Sequence, residues 1–241
     1  MRLDQYLTQN GFFESRARAQ EAITAGLVLI GGNIATKAAQ KVPDGAEVRI
    51  IGAVHDYVSR GGLKLEAALD AFDFNPHDKT CLDLGASTGG FCDVLLRRGA
   101  TRVYAVDVGQ GQLHPRIVAD DRVINLEKTH AKDLNPAIIP DPIDLIVCDV
   151  SFISLKKALP FALALAGERA MLAALVKPQF EVGKAGLGKG GIVKPGLSEP
   201  VPDDITAWVN EQAGWSVVTT IDSPIAGGDG NKEFLLGATK Q

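Results

Sequence analysis

The chain has 241 residues, of which 46% are hydrophobic and 22% are charged, and its formal net charge at pH 7 is −4. These values exclude a largely disordered chain and a polycation whose overall charge alone would bind nucleic acid. The length allows one large domain, or a small module followed by a mid-sized domain. The three cysteines form no C-x-x-C pair and the four histidines lack ligand spacing. We therefore expect a reducing compartment and no metal site.

No segment of the sequence has the pattern of a membrane-spanning helix. The longest apolar run, residues 158–166, is about half as long as such a helix. The first residues of the chain, MRLDQYLTQN, lack the apolar stretch of a secretory signal. We expect a cytoplasmic protein that has no membrane partner.

Residues 1–52 have the pattern of a small α+β module. Leu3 and Leu7 share one face of a first helix, and a second helix begins at the N-cap Ser15 and ends near Gly26. Two strands joined by a Gly-Gly-Asn turn follow, and a third short strand comes after an Asp-Gly turn. The net charge of residues 1–50 is only +1, so the placement of the basic residues is more informative than their number.

The pattern changes at Gly61, after residues 53–60, which we interpret as a linker. In residues 61–241 near-continuous apolar strands alternate with helices, as is typical of a buried parallel sheet. The last two strand-like runs are joined by a glycine-rich loop, so we expect a closing hairpin whose final strand is antiparallel to the rest. The predicted strands are 80–85, 102–108, 122–127, 144–150, 170–177, 215–225 and 231–240.

A glycine-rich loop leaves the first strand of this sheet in the segment LDLGASTGGF, residues 82–91. Its glycines permit close approach of a ligand to the backbone, and the helix that follows offers free N–H groups. Asp107 ends the next strand, where a carboxylate can accept hydrogen bonds from both hydroxyls of a ribose. These features together predict a nucleoside cofactor.

The loop favours S-adenosylmethionine over NAD. The second glycine of a dinucleotide-binding loop is missing, because Ala86-Ser87-Thr88 occupy that region. Asp83 at the strand end could bind the ammonium of an amino-acid group, which a pyrophosphate site does not need. Asp133, after the third strand, could accept from an adenine amine. The predicted cofactor-binding residues are Asp83, Gly85, Ser87, Gly89, Gly90, Phe91, Asp107 and Asp133.

Polar residues stand at the ends of three later strands, at the edge where ligands bind in open α/β sheets. Asp149 ends the fourth strand and Lys177 ends the fifth. Glu233 begins the final strand, which would neighbour Lys177 if that strand is inserted beside the fifth. A lysine at an apolar strand end between carboxylates is a candidate proton acceptor. A purely structural ion pair is the alternative interpretation.

Six segments of the sequence resemble the hemolysin-A-type (TlyA family) rRNA methyltransferases. They are YVSRGGLKLEAAL, CLDLGASTGGF, AVDVGQGQL, CDVSFISL, VKPQFEVGK and GNKEFLL. That family joins an N-terminal alpha-L RNA-binding module to an FtsJ-type methyltransferase domain with a Rossmann-like fold. The resemblance covers nearly the whole chain. It implies S-adenosylmethionine-dependent 2′-O-methylation of ribose in ribosomal RNA, of a cytidine, with rRNA or ribosomal subunits as partner and no obligate protein partner.

The resemblance also implies a catalytic Lys-Asp-Lys-Glu tetrad, which falls on Lys64, Asp149, Lys177 and Glu233. Lys64 enters this set through the resemblance alone. In the family interpretation Lys177 accepts the proton of the ribose hydroxyl, Lys64 and Asp149 orient that hydroxyl, and Glu233 holds the lysines. The glycines before Lys64 then look like a hinge-like start that lets Lys64 reach the site. The residues expected to contact RNA are Arg2, Arg16, Arg18, Lys37, Arg60, Lys184 and Lys189.

Three other functions are compatible with parts of the pattern. A nicotinamide-dependent oxidoreductase would share the sheet, but the missing loop glycine argues against it. A membrane-active lysin, which the older family name suggests, would need a membrane-seeking apolar helix. A non-catalytic RNA chaperone on the same fold would not need the four tetrad residues.

Overall fold

The computed structural model describes residues 1–51, 55–227 and 230–241. The chain forms two compact units, Met1–Asp56 and Tyr57–Gln241. The boundary between them falls within the segment 53–60 that the sequence suggests as a linker, of which residues 53 and 54 lie outside the described part. The glycine-rich loop between the last two predicted strands also includes two positions, 228 and 229, that lie outside it.

The first unit is a helical pair followed by a small antiparallel sheet. The Ser15 hydroxyl accepts from the Arg18 N–H at 3.3 Å and so caps the second helix, as the sequence predicts. Leu3, Leu7 and Val28 are among the side chains that form its buried core. The strand order is β2-β1-β3. The elements are α1 (Leu3–Gln9), α2 (Arg16–Thr24), β1 (Val28–Ile30), β2 (Asn33–Ile34) and β3 (Val48–Ile50).

The second unit is built on a seven-stranded sheet. Its elements are α3 (Gly61–Phe72), β4 (Thr80–Leu84), α4 (Gly90–Arg97), β5 (Arg102–Val106), α5 (Pro115–Val118), β6 (Val123–Leu126), β7 (Ile143–Cys148), α6 (Leu155–Leu163), β8 (Ala166–Val176), α7 (Val201–Asn210), β9 (Trp215–Asp222) and β10 (Phe234–Lys240). The strand order is β6-β5-β4-β7-β8-β10-β9. The first five strands in this order are parallel, and β10 is antiparallel to both of its neighbours.

Helices cover both faces of the sheet because its strands are apolar on both sides. Along β7, Leu145 and Val147 pack into one core cluster with residues of α3 and α4, whereas Ile146 and Cys148 pack into another with residues of α6 and α7. This is the doubly wound arrangement that near-continuous apolar strands predict. The strand order reverses between β4 and β7, and such switch points are where open α/β sheets bind ligands.

The last strand is inserted beside β8, which is the condition under which the sequence analysis makes Glu233 a neighbour of Lys177. Phe234 pairs with Val176 across the two antiparallel strands, so Glu233 and Lys177 follow at the same edge. The start of β8 differs from the apolar pattern, since the strand begins at Ala166 and not at residue 170. The additional residues include the exposed Glu168 and Arg169, and Arg169 has a left-handed φ of 57°. An apolar pattern cannot detect such polar residues at a strand end.

Candidate active site

The glycine-rich loop turns sharply where β4 ends. Gly85 has a φ of +90°, and a Cβ atom there would lie 2.7 Å from the Asp149 carbonyl oxygen. Both the conformation and the close approach therefore require glycine. The N–H groups of Gly85 and Ala86 donate to the Val106 carbonyl at 2.8 and 3.0 Å, which ties the loop to the end of β5. The loop then enters α4 at Gly90.

Asp107 fixes this loop with both carboxylate oxygens. Oδ2 accepts from the Ser87 N–H at 2.8 Å, and Oδ1 accepts from the Gly109 N–H at 2.7 Å. Each carboxylate oxygen can accept a further hydrogen bond. Asp107 can thus order the loop and still offer acceptors to the two hydroxyls of a ribose.

Asp83 is a fully buried carboxylate with one satisfied and one unsatisfied oxygen. Oδ2 accepts from the Cys92 thiol at 3.0 Å, whereas Oδ1 has no hydrogen-bond partner among the described residues. Burial, which the negative charges of Asp149 and Asp107 reinforce and the Cys92 hydrogen bond opposes, raises the pKa of Asp83 to about 7. A buried carboxylate that lacks a cation fits the ammonium of S-adenosylmethionine.

The two remaining predicted cofactor residues differ in exposure. Phe91 is buried in the first turn of α4. Asp133 is exposed at the end of a short turn, Ala131–Asp133, so its contact with an adenine amine stays a prediction.

Glu127, which the sequence analysis missed, holds the backbone of the segment after β5 at the same edge of the sheet. Its carboxylate accepts from the backbone N–H groups of Gln112 and Leu113 at 2.7 and 3.2 Å. These and the other backbone hydrogen bonds lower the pKa of Glu127 to about 2. Glu127 directly follows β6, so its position at the end of a strand could have identified it as a candidate site residue.

The four tetrad residues form two ion pairs at the carboxyl edge of the parallel strands. Lys64 Nζ lies 2.5 Å from Glu233 Oε2, and Lys177 Nζ lies 2.6 Å from Asp149 Oδ1. Lys177 also donates to the Ser151 hydroxyl at 2.8 Å. The first pair is the more buried, with side-chain exposures of 9% and 3% against 11% and 23%. The ion pair of Glu233 is thus with Lys64, although Glu233 neighbours Lys177 along the sheet.

The glycines before Lys64 do not form a hinge. Gly61 and Gly62 are the first residues of α3, with helical backbone. A Cβ atom on Gly62 would lie 2.4 Å from the Tyr57 ring, so the small residue permits close packing and does not supply flexibility. Lys64 reaches the edge of the sheet because it occupies the first turn of α3.

In the first unit, all three arginines expected to contact RNA have structural partners. Arg2 and Arg16 bind the fully buried Asp4 at 3.0 and 2.8 Å. These hydrogen bonds, above all the one from Arg2, hold the pKa of Asp4 well below its usual range. Arg18 lies 3.3 Å from Glu21 and 2.9 Å from His55. Both Asp4-bound guanidinium groups are about half exposed, so their outer surfaces remain available for contacts with RNA, which stay predictions.

The other residues expected to contact RNA differ in their surroundings. Lys37, Lys184 and Lys189 are exposed, and Arg60 is partly buried. The segment with Lys184 and Lys189 is held beside β10 by the buried Asn231, which accepts from the Val193 N–H at 3.0 Å and donates to the Gly191 carbonyl at 3.1 Å. This glycine- and lysine-rich loop therefore has a defined position near Glu233.

Three observations bear on other kinds of site. The three cysteines are buried and free. Within residues 1–51, 55–227 and 230–241 there is no group of three or more His, Cys, Asp and Glu residues that could hold a metal ion. In the same residues no helix combines the length and the apolar character needed to cross a membrane.

Comparison with known proteins shows the families to which the two parts of the chain are similar. The FtsJ-like methyltransferase family matches residues 57–240, and the S4 domain matches residues 1–48. The chain is 43% identical over 236 residues to the 16S/23S rRNA (cytidine-2′-O)-methyltransferase TlyA of Mycobacterium tuberculosis, covering 98% of this chain and 88% of the relative. It is 40% identical over 237 residues to Hemolysin A of Brachyspira hyodysenteriae, covering 98% of each chain.

A solved structure agrees as well. The protein described as a hemolysin from Streptococcus thermophilus has a TM-score of 0.78 and 41% identity, covering 100% of this chain and 88% of that one. The fold and the site define a methyltransferase whose cofactor is S-adenosylmethionine, which confirms the prediction over NAD. The chain belongs to the FtsJ-like methyltransferase family, among the relatives named hemolysin A and TlyA.

Proposed function

We propose that the protein methylates the 2′-hydroxyl of a cytidine ribose in ribosomal RNA, with Lys177 as general base. The observation that carries this proposal is the set of two lysine–carboxylate pairs at the edge of the sheet, one buried and one partly exposed, directly beside the cofactor loop. The Asp149 carbonyl packs against Gly85 of that loop, and the Asp149 carboxylate contacts Lys177. The relatives named as rRNA (cytidine-2′-O)-methyltransferases support the choice of substrate.

A ribose hydroxyl needs a positioned base because its own pKa is very high. S-adenosylmethionine supplies an electrophilic methyl group when it is bound. In its neutral form the Lys177 amine would accept the hydroxyl proton, and the methyl group would pass from the sulfur of the cofactor to the ribose oxygen. Asp149 then pairs with the resulting Lys177 ammonium, and Ser151 accepts from the same nitrogen. These contacts hold the amine in one place, as in-line transfer requires.

The Lys64–Glu233 pair has a different part in this mechanism. Glu233 compensates the buried charge of Lys64, which would otherwise be costly in the apolar surroundings. A lysine ammonium has three donors, so Lys64 retains donors for the ribose oxygen. The pair therefore orients the hydroxyl, and Lys177 receives its proton.

The cofactor is held, in our proposal, by the first two strands of the sheet. Asp83 binds the ammonium of the methionine group through its unsatisfied Oδ1. The backbone of the loop from Gly85 to Gly90 would bind the cofactor, and Asp107 would accept hydrogen bonds from the ribose hydroxyls. Phe91, Ser87 and Asp133 complete the proposed pocket.

The first unit would bind the RNA. We propose an RNA-binding module over residues 1–52, a linker over 53–60 and a catalytic domain over 61–241. The proposed partner is rRNA or a ribosomal subunit, and the proposed location is therefore the cytoplasm. The proposed phosphate contacts are Arg2, Arg16, Arg18, Lys37, Arg60, Lys184 and Lys189.

The proposal is tested with ribosomal subunits, naked rRNA and S-adenosylmethionine that carries a labelled methyl group. We expect wild-type protein to label RNA and Lys177→Ala to label it about 10²- to 10⁴-fold more slowly. Lys79→Ala is the matched control, because Lys79 precedes β4 at the opposite edge of the sheet. Equal labelling by wild type and Lys177→Ala would refute the role of Lys177. No labelling of any RNA by wild type would refute the substrate class.

A further inference from the structure

Two loops leave the carboxyl edge of the sheet side by side, and each carries one member of the Lys177–Asp149 pair. The loop after β7 runs from Asp149 to Ser154, just before α6, and the longer loop after β8 begins at Lys177 and includes Glu181. At the start of the loops Lys177 contacts Asp149 at 2.6 Å and Ser151 at 2.8 Å. The spacing of the two proposed catalytic groups therefore depends on how the two loops are joined.

The far ends of the loops are joined through Glu181. Its Oε2 accepts from the Ser154 hydroxyl at 2.6 Å, and its Oε1 accepts from the Leu155 N–H at 2.8 Å. Ser154 is also the N-cap of α6 and accepts from the Lys156 N–H at 3.2 Å. A carboxylate at this helix start satisfies an otherwise free N–H and interacts favourably with the helix dipole. Both oxygens of Glu181 are thus committed to the other loop.

The segment between these two attachment points packs Val150 and Ile153 against the core, but it also contains a strained residue. Phe152 has a left-handed φ of 64°, which is unfavourable for a bulky side chain. Its side chain is 91% exposed, so burial does not compensate for this conformation. The Phe152 and Phe180 rings contact each other with centroids 5.3 Å apart. Because one ring belongs to each loop, this contact does not attach either loop to a helix or strand. Glu181 joins the loop after β8 to the end of this strained loop, at the first turn of α6.

We propose that Glu181 is a positioning residue that sets the geometry of the Lys177–Asp149 pair by locking the loop after β8 to the loop after β7. This inference rests on the proposed function, because it assumes that the pair takes part in methyl transfer. Glu181 itself does not touch the reacting atoms in this account. It acts through the backbone of both loops.

Glu181→Ala is expected to lower kcat about 10- to 100-fold, because small displacements of a positioned base have effects of that size. The Kd for S-adenosylmethionine, measured by calorimetry, should stay within about twofold, because Asp83 and Asp107 lie on other strands. Glu181→Gln should recover most of the activity. Its carbonyl can accept from the Leu155 N–H and its amide can donate to the Ser154 hydroxyl.

Ser154→Ala provides a second test of the same contact. Alone it should lower kcat, and in combination with Glu181→Ala it should cause little further loss, since both changes break one connection. Glu168→Ala is the matched control, because Glu168 is exposed at the other end of β8. If Glu181→Ala does not fold, Glu181→Gln and Ser154→Ala still decide the question.

Three results would overturn the role of Glu181. The first is full activity of Glu181→Ala, or of Ser154→Ala where that is the variant that folds, in an assay where wild type is active and Lys177→Ala is not. The second is a loss of activity that the Gln variant does not restore. The third is a loss that is matched by weaker cofactor binding and a lower Tm, which would show general destabilisation. Failure of the proposed function is separate, because it appears as an inactive wild type or an active Lys177→Ala.

Discussion

Lys177 and Glu233 lie one residue beyond the Val176–Phe234 pair on adjacent antiparallel strands, yet each forms its ion pair with a different residue. Lys177 forms its ion pair with Asp149, which directly follows the neighbouring strand β7, and Glu233 forms its ion pair with Lys64 on α3. The edge of the sheet therefore holds two separate lysine–carboxylate pairs. The Lys64–Glu233 pair is buried, and the Lys177–Asp149 pair is the more accessible of the two, as a proton acceptor for RNA would have to be.

The Lys64–Glu233 pair should be strongly coupled. Breaking it by Lys64→Met leaves Glu233 as an uncompensated buried charge, and Glu233→Leu does the same to Lys64. Each single variant should lower the free energy of unfolding by about 3–5 kcal/mol. The double variant should lose much less than the sum of the two, as measured by urea unfolding of the larger unit. Additive losses would show that the two side chains do not compensate each other.

Binding of S-adenosylmethionine should depend on pH through Asp83. The pKa of this carboxyl in the free protein is about 7, above its ordinary value of 3.8, and only the ionised form pairs with an ammonium. The apparent Kd should therefore rise about tenfold for each pH unit below 7 and level off above it. Calorimetric titrations from about pH 5.5 to 8.5 would check this. Asp83→Asn should bind weakly at every pH, and a flat wild-type profile would contradict the assignment.

The same raised pKa has a consequence for stability in the absence of cofactor. The folded protein holds the Asp83 proton up to about pH 7, whereas the unfolded chain loses it near 3.8. The contribution of Asp83 to the free energy of unfolding should thus fall as the pH rises through this window. Asp83→Asn should remove that fall. An identical pH dependence in the variant would argue against a buried, protonated Asp83.

Cys92 should tune the Asp83 carboxylate. Its thiol donates to Asp83 Oδ2, so Cys92→Ala removes a hydrogen bond that favours the ionised form. The variant should bind S-adenosylmethionine more weakly near pH 7 and approach wild-type affinity at higher pH. Cys92→Ser retains a donor and should remain near wild type. Equal Kd values for wild type and Cys92→Ala across the pH range would rule out this role.

Contacts with RNA are best tested at Lys37. Arg2 and Arg16 both stabilise the buried Asp4, so replacing them would also disturb the fold of the first unit. Lys37 is exposed, and Lys37→Ala should weaken RNA binding at low salt and reduce the slope of log K against log salt by about 1. Lys240→Ala, at the end of β10, serves as the control. An unchanged slope would remove Lys37 from the RNA-binding surface.

The sequence predicts the fold and much of the site because strand ends and glycine loops leave local signals. Asp83, Asp107, Asp149 and Lys177 each end or nearly end an apolar strand, and the topology brings such ends to one edge. The sequence around these residues carries no signal of which lysine forms an ion pair with which carboxylate. Lys64 meets Glu233 because of how α3 packs on the sheet, which depends on the small size of Gly62 beside Tyr57.

Other features lay beyond pattern analysis for a related reason. Glu127 and Glu181 act by accepting backbone N–H groups from distant loops, and such contacts appear only once the loops are folded. The extension of β8 through polar residues and the helical conformation of Gly61 and Gly62 also depend on tertiary packing. Composition and periodicity carry no information on any of these.

The central claim is methyl transfer to a ribose 2′-oxygen with Lys177 as base. The most direct measurement is mass spectrometry of nucleosides from rRNA incubated with S-adenosylmethionine and either wild type or Lys177→Ala. We expect 2′-O-methylcytidine with wild type, and at least about 100-fold slower formation with the variant, while the Kd for the cofactor is unchanged. A methyl group on a base atom, or equal rates of formation, would contradict the account.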